Sequence, residues 1–126
     1  RIAPHKPVLL ISLIDLYDSG VLVWNKIELD ETLQQTFADN WTRYVGDSDM
    51  FRPHIATPFW HMKNEPFWKL VSKSGISEKE ISSPYSVNVL KSNFYAQLDQ
   101  ELAELMHNPL FRDFAMETLL DTYLIK

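Results

Sequence analysis

The segment that most limits how this chain can fold begins at Pro7. Val8, Leu9, Leu10, Ile11, Leu13, Ile14, Leu16 and Tyr17 follow it, interrupted only by Ser12 and Asp15. On a helix these side chains cover most of the circumference, and a helix that is apolar on nearly all sides has to be surrounded. Proline suits the first turn, where its missing N–H is not needed, and Gly20 stands where such a helix ends. The other elements must therefore wrap around this one. The run falls far short of the roughly 20 apolar residues that cross a bilayer, so a buried core helix is expected and no membrane partner.

The rest of the chain supplies the wrapping. Val21–Ile27 is short, apolar and partly β-branched, which predicts an extended segment. Asp30 is placed to cap a second helix, in which Leu33, Phe37, Trp41 and Tyr44 form one apolar stripe. Residues 46–58 (GDSDMFRPHIATP) hold two prolines and no periodicity and read as a loop. Phe59–Met62 and Phe67–Val71, separated by Lys63, Asn64, Glu65 and Pro66, predict a β-hairpin. A short helix around Glu78–Ile81 and the start of another over Ser86–Leu90 come next. Helical spacing returns from about Leu98, with Asn108 as cap and Pro109 as first helical residue of a last helix carrying Leu110, Phe114, Leu119 and Tyr123. The order predicts one mostly helical α+β domain over residues 1–126, with a small β-hairpin and a winged-helix-like outline.

The chain contains no cysteine, which excludes disulfides, zinc-thiolate sites and cysteine nucleophiles and fits a cytoplasmic location. It opens at Arg1 without a methionine or a signal-peptide core, so a piece of a longer protein is expected. The net charge is −5, which by itself argues against nucleic acid. The distribution argues otherwise. From Arg52 to Lys73 the bases Arg52, Lys63, Lys69 and Lys73 meet a single acid, Glu65, with His54 and His61 among them. From Asp99 onward six acids (Asp99, Glu101, Glu104, Asp113, Glu117, Asp121) outweigh Arg112 and Lys126. A locally basic loop and hairpin with aromatic side chains is a candidate surface for nucleic-acid phosphates, and it is equally the solvent face of an ordinary hairpin.

Three of the four histidines fall in two proline-rich stretches, His5 in APHKP and His54 and His61 in RPHIATPFWHMKN. Rigid loops of this kind hold side chains at little ordering cost, which suits recognition. His5 can also simply satisfy backbone groups at the start of the first helix. His54 and His61 stand seven apart, without a carboxylate or thiol at ligand spacing, so no metal is expected here. No activated nucleophile is marked among Thr42, Ser48 and Thr57, and no glycine-rich phosphate loop occurs. Binding rather than catalysis is the expectation for this fragment.

APHKPVLLISLIDL, NKIEL, FADNW, TPFWHMKNEPFWKL and the tail LDQELAELMHNPLFRDFAMETLLDTYL together resemble the sulfur-binding domain of type IV restriction endonucleases. The resemblance runs from about Ala3 to Leu124. Its most specific parts are PHKP, the PF-x-H-[LM] and FW-x-L segments, and the LL-x-x-Y ending. It implies a reader of double-stranded DNA carrying phosphorothioate linkages, with a nuclease domain of the HNH type after it in the parent protein. Any divalent metal would then belong to that nuclease, with no cofactor in this domain, and a dimer would form through the parent. His5 and Lys6 match the family's contacts to DNA ahead of the first helix. Thr57 and Pro58 match a Tyr-Pro pair whose proline ring helps to form a shallow apolar cup for the sulfur, and Phe59, Trp60 and His61 would supply its floor and rim. Arg52, His54 and Lys63 join the DNA-binding set on charge and position. The sequence departs from the family at Thr57, where tyrosine is common, and at Pro66, where glycine is usual. Either Trp60 or Phe51 replaces the missing ring, or sulfur selectivity is weaker here.

Such a cup has a physical logic. Sulfur is larger, more polarizable and less strongly hydrated than the oxygen it replaces. Proline and aromatic carbons can accept it, whereas an oxygen there loses hydration and gains no hydrogen bond. The competing expectation is a protein-interaction domain in which the hairpin aromatics are core and the acidic tail meets a partner. That domain would show no salt-dependent binding to DNA.

Overall fold

The computed structural model describes residues 3–124; Arg1 and Lys126, counted in the charge balance above, lie outside them. Helix α1 (His5–Asp18) is the central element, and Val8, Leu9, Ile11 and Leu13 on it have no exposed surface. It packs against α2 (Glu31–Tyr44), α3 (Ala56–His61) and α6 (Pro109–Leu119), as a helix apolar on all sides requires. Gly20, at φ +81°, turns the chain out of α1 in the left-handed region that a side chain would strain. The hydroxyl of Tyr17 then donates to the Trp24 carbonyl and holds the return loop against the helix. Burial pushes the Tyr17 pKa up to about 12.

Asp30 caps α2, its carboxylate accepting from the Leu33 N–H at 2.9 Å. Leu33, Phe37 and Trp41 face α1, and between them Asn40 is 4% exposed. Its amide donates to Ser12 Oγ at 3.2 Å and to Asp15 Oδ2 at 2.8 Å, and Ser12 donates in turn to the Val8 carbonyl at 2.8 Å. Asn40, Ser12 and Asp15 thus bond to one another across this interface, which fixes the register of α2 on α1.

The sheet has three antiparallel strands in the order β1–β3–β2, built from β1 (Lys26–Ile27), β2 (Trp68–Ser72) and β3 (Phe94–Leu98). Trp68 stands opposite Leu98 and Ser72 opposite Phe94. Trp68, Leu70, Phe94, Ala96 and Leu98 alternate inward with period two, while Lys69 and Gln97 point to solvent. Between β2 and β3 lie a 3₁₀ turn (Glu78–Glu80) and α4 (Val87–Asn93), the latter capped by Ser86 Oγ. In the turn, the Glu80 carboxylate accepts from the Ser77 N–H, which holds its pKa below the ordinary value. Helix α5 (Gln100–Leu105) is capped by Asp99, and α6 starts at Pro109 behind Asn108. Arg112 ties α6 to the end of α1, donating to Asp18 Oδ1 at 3.1 Å and to the Met106 carbonyl at 2.7 Å.

Of the described residues 57% are helical, with one small sheet, so the mostly helical α+β reading stands. One expectation is corrected. Phe59–Met62 is not a strand: Phe59–His61 belongs to α3, and a 3₁₀ turn (Met62–Asn64) follows. Pro58 is the third residue of α3, within the first turn, where no intrahelical N–H is required of it. The partner of β2 is β3, over which the sequence predicts no strand, and Leu98, where a helix is expected to begin, is its last residue.

Candidate functional site

Along α3, Ala56, Phe59 and Trp60 turn to the core, whereas Thr57 and His61, four residues apart, share the side that faces the start of α1. Between α3 and the N-terminal turn of α1 lies a cavity of about 650 Å³. It is lined by His5, Lys6, Thr57, Pro58 and His61, all nominated from sequence, and by Leu10, Met62, Phe67, Leu119 and Tyr123, which were not. Apolar carbon therefore forms most of its wall, with Asn64, Glu65 and Lys6 among its polar groups.

The ring of His5 is held rather than free. It lies 4.7 Å from the ring of Trp41 and 6.0 Å, edge to face, from that of Phe51. Its Nε2 is 2.6 Å from the Arg52 carbonyl, across 47 residues of sequence. A carbonyl only accepts, so Nε2 carries the proton. His5 thus lines the cavity and also fastens the 46–55 loop to α1. In that loop the Arg52 guanidinium donates to the Ser48 carbonyl at 2.6 Å, and His54 is exposed. His61 Nε2 lies 3.0 Å from the Tyr85 hydroxyl, which links α3 to the segment before α4.

Two cup residues are corrected. Phe59 is fully buried, edge to face with Trp68 at 5.4 Å, and Trp60 is 8% exposed against Phe94, so neither reaches the cavity. The aromatic rings that do line it are Phe67 and Tyr123, besides the imidazoles of His5 and His61. Tyr123 arrives on a π-helical turn (Leu120–Leu124) that extends α6. The Leu119 and Tyr123 spacing was visible in the sequence as a helix face, but nothing in it pointed that face at Pro58.

The basic stretch also disperses. Lys63 sits 3.8 Å above the Trp60 ring and pairs with Glu78 at 2.7 Å, away from the cavity. Lys73 pairs with Glu28 at 2.7 Å, and Lys69 lies on the outer face of the sheet. Lys6 is the only lysine or arginine lining the cavity among the described residues, and it pairs with Glu65 at 3.5 Å. Among the described residues no group of three or more His, Cys, Asp or Glu side chains could hold a metal ion, and no helix is long and apolar enough to cross a membrane. No protein-family model matches the chain, and no curated protein matches it in sequence.

Proposed function

We propose that this domain binds double-stranded DNA at the cavity between α1 and α3, and that it prefers a backbone carrying a phosphorothioate. What supports the reading is convergence. His5 and Lys6 from one segment, and Thr57, Pro58 and His61 from another some fifty residues on, line one cavity whose wall is largely apolar. Within that reading Pro58, Phe67 and Tyr123 offer carbon surface to the sulfur, while Lys6, His61 and the loop carrying Arg52 meet the flanking backbone. Any cutting belongs to a nuclease domain of the parent protein, with its metal, in the cytoplasm. The role of this domain is to select the site.

The test compares matched duplexes with and without a single Rp phosphorothioate, by fluorescence anisotropy. If an oxygen desolvated in the cup costs about 1–3 kcal/mol, the modified duplex binds roughly 5- to 150-fold more tightly. Equal affinity for the two overturns the sulfur reading, and binding of neither overturns DNA altogether. Pro58→Gly, checked for folding by its melting curve, should weaken binding to the modified duplex more than to the plain one.

A further inference from the structure

Helix α6 has no buried residue along its length. It leans on the core through Phe111, Ala115, Met116 and Leu119. Leu110 and Phe114 turn the other way, 78% and 66% exposed. Four residues apart, they stand one above the other on a single face. Single apolar side chains on a surface are ordinary, but these are not isolated. Trp24 stacks on His107 at 6.4 Å with an interplanar angle of 16°, which brings the loop holding the exposed Val21, Val23 and Trp24 to the turn where α6 begins. Of the nine large apolar side chains exposed among the described residues, six belong to residues 21–24 and 105–114.

Among the described residues the charge on this face has one sign. Asp113, Glu117 and Asp121 are all exposed beside Leu110 and Phe114. The one described cation of α6, Arg112, is turned inward, its side chain 13% exposed and paired with Asp18. A two-fold contact with a second copy would set these carboxylates against themselves, and a nucleic acid would meet the same repulsion. A partner offering apolar side chains among lysines or arginines satisfies both features of the surface at once.

We propose that the outward face of α6 docks a basic amphipathic segment of another protein, with Leu110 and Phe114 as anchors and Asp113, Glu117 and Asp121 selecting for positive charge. This holds whether or not the cavity binds DNA.

The test titrates the whole isotopically labelled chain with two synthetic amphipathic peptides. They share one leucine stripe, flanked by lysines in the first and by glutamates in the second. The lysine peptide should bind at least about tenfold more tightly, with chemical-shift changes confined to Trp24, His107 and α6. Phe114→Ser should weaken it about tenfold. Asp113→Lys combined with Glu117→Lys should reverse the preference between the peptides. These side chains are exposed, so the melting temperature of each variant should stay at the wild-type value. Equal binding of both peptides overturns the proposal, as do shifts centred on α3 and the start of α1. A concentration-dependent dimer abolished by Phe114→Ser also overturns it, and assigns the face to a second copy.

Discussion

His5→Ala should do more damage than the loss of a half-buried side chain at a helix start normally does. Three contacts go at once. The hydrogen bond from Nε2 to the Arg52 carbonyl, 2.6 Å long, contributes about 1 kcal/mol net, because the freed carbonyl on an exposed loop recovers some hydration. The ring pairs with Trp41 at 4.7 Å and Phe51 at 6.0 Å together contribute about 0.5–1.5 kcal/mol. The expected loss is therefore about 1.5–2.5 kcal/mol, or roughly 5–10 °C in melting temperature for a chain of this size. Its distribution should be uneven. Within the 46–55 loop Ser48 makes local bonds, its Oγ accepting from the Phe51 N–H at 3.1 Å and its carbonyl accepting from Arg52. His5 reaches this loop from α1, at Arg52 and Phe51. Hydrogen exchange followed by mass spectrometry should then show faster exchange in the peptide covering residues 47–56, with α2 and β3 changed only by the global loss. A loss below about 0.5 kcal/mol with unchanged exchange in that peptide would refute the fastening role.

Two further predictions are simpler. The Tyr17 pKa is about 12 in the folded protein against 10.0 for a free tyrosine, so its contribution is intact below about pH 10 and fades as pH rises toward 12. Between about pH 9 and pH 11 the stability advantage of wild type over Tyr17→Phe should shrink by about 1.4 kcal/mol in urea melts, and a constant difference would refute the assignment. Glu65→Gln should release Lys6 from its half-exposed pair and tighten binding to both duplexes about two- to fivefold, with a salt slope steeper by about one phosphate contact; unchanged affinity and slope would remove Lys6 from the interface.

The helices were legible where one physical signal dominated. An apolar run on all sides placed α1 at the centre, Asp30 and a four-residue stripe placed α2, and Asn108–Pro109 placed the start of α6. The reading failed between Phe59 and Met62, where aromatic density suggested a strand. A six-residue helix is too short to show periodicity, and Pro58 looked like a stop although it is a first-turn residue. It failed again at β3, because Phe94, Ala96 and Leu98 find their partner Trp68–Ser72 more than twenty residues away, beyond any turn signal. Site residues followed the same division. His5 and His61 stood out in proline-rich stretches beside apolar runs, Lys6, Thr57 and Pro58 entered only through the family resemblance, and Leu119 and Tyr123 looked like any helix face. Only tertiary folding brings the tail across to α3.

Tertiary folding also changes what the net charge of −5 means. Sequence adjacency made Arg52, Lys63, Lys69 and Lys73 a basic patch, yet Lys63 and Lys73 are spent on Glu78 and Glu28 and Lys69 lies on the outer face of the sheet. At the cavity the single lysine faces Glu65. If the cavity binds DNA as proposed, a surface whose described residues include so few unpaired cations gains little from counterion release, so non-specific affinity should be weak and its salt dependence shallow. Weak background binding is an asset for a reader. When little free energy comes from phosphates that every duplex carries, the small difference between a sulfur and an oxygen against Pro58, Phe67 and Tyr123 becomes a larger share of the whole.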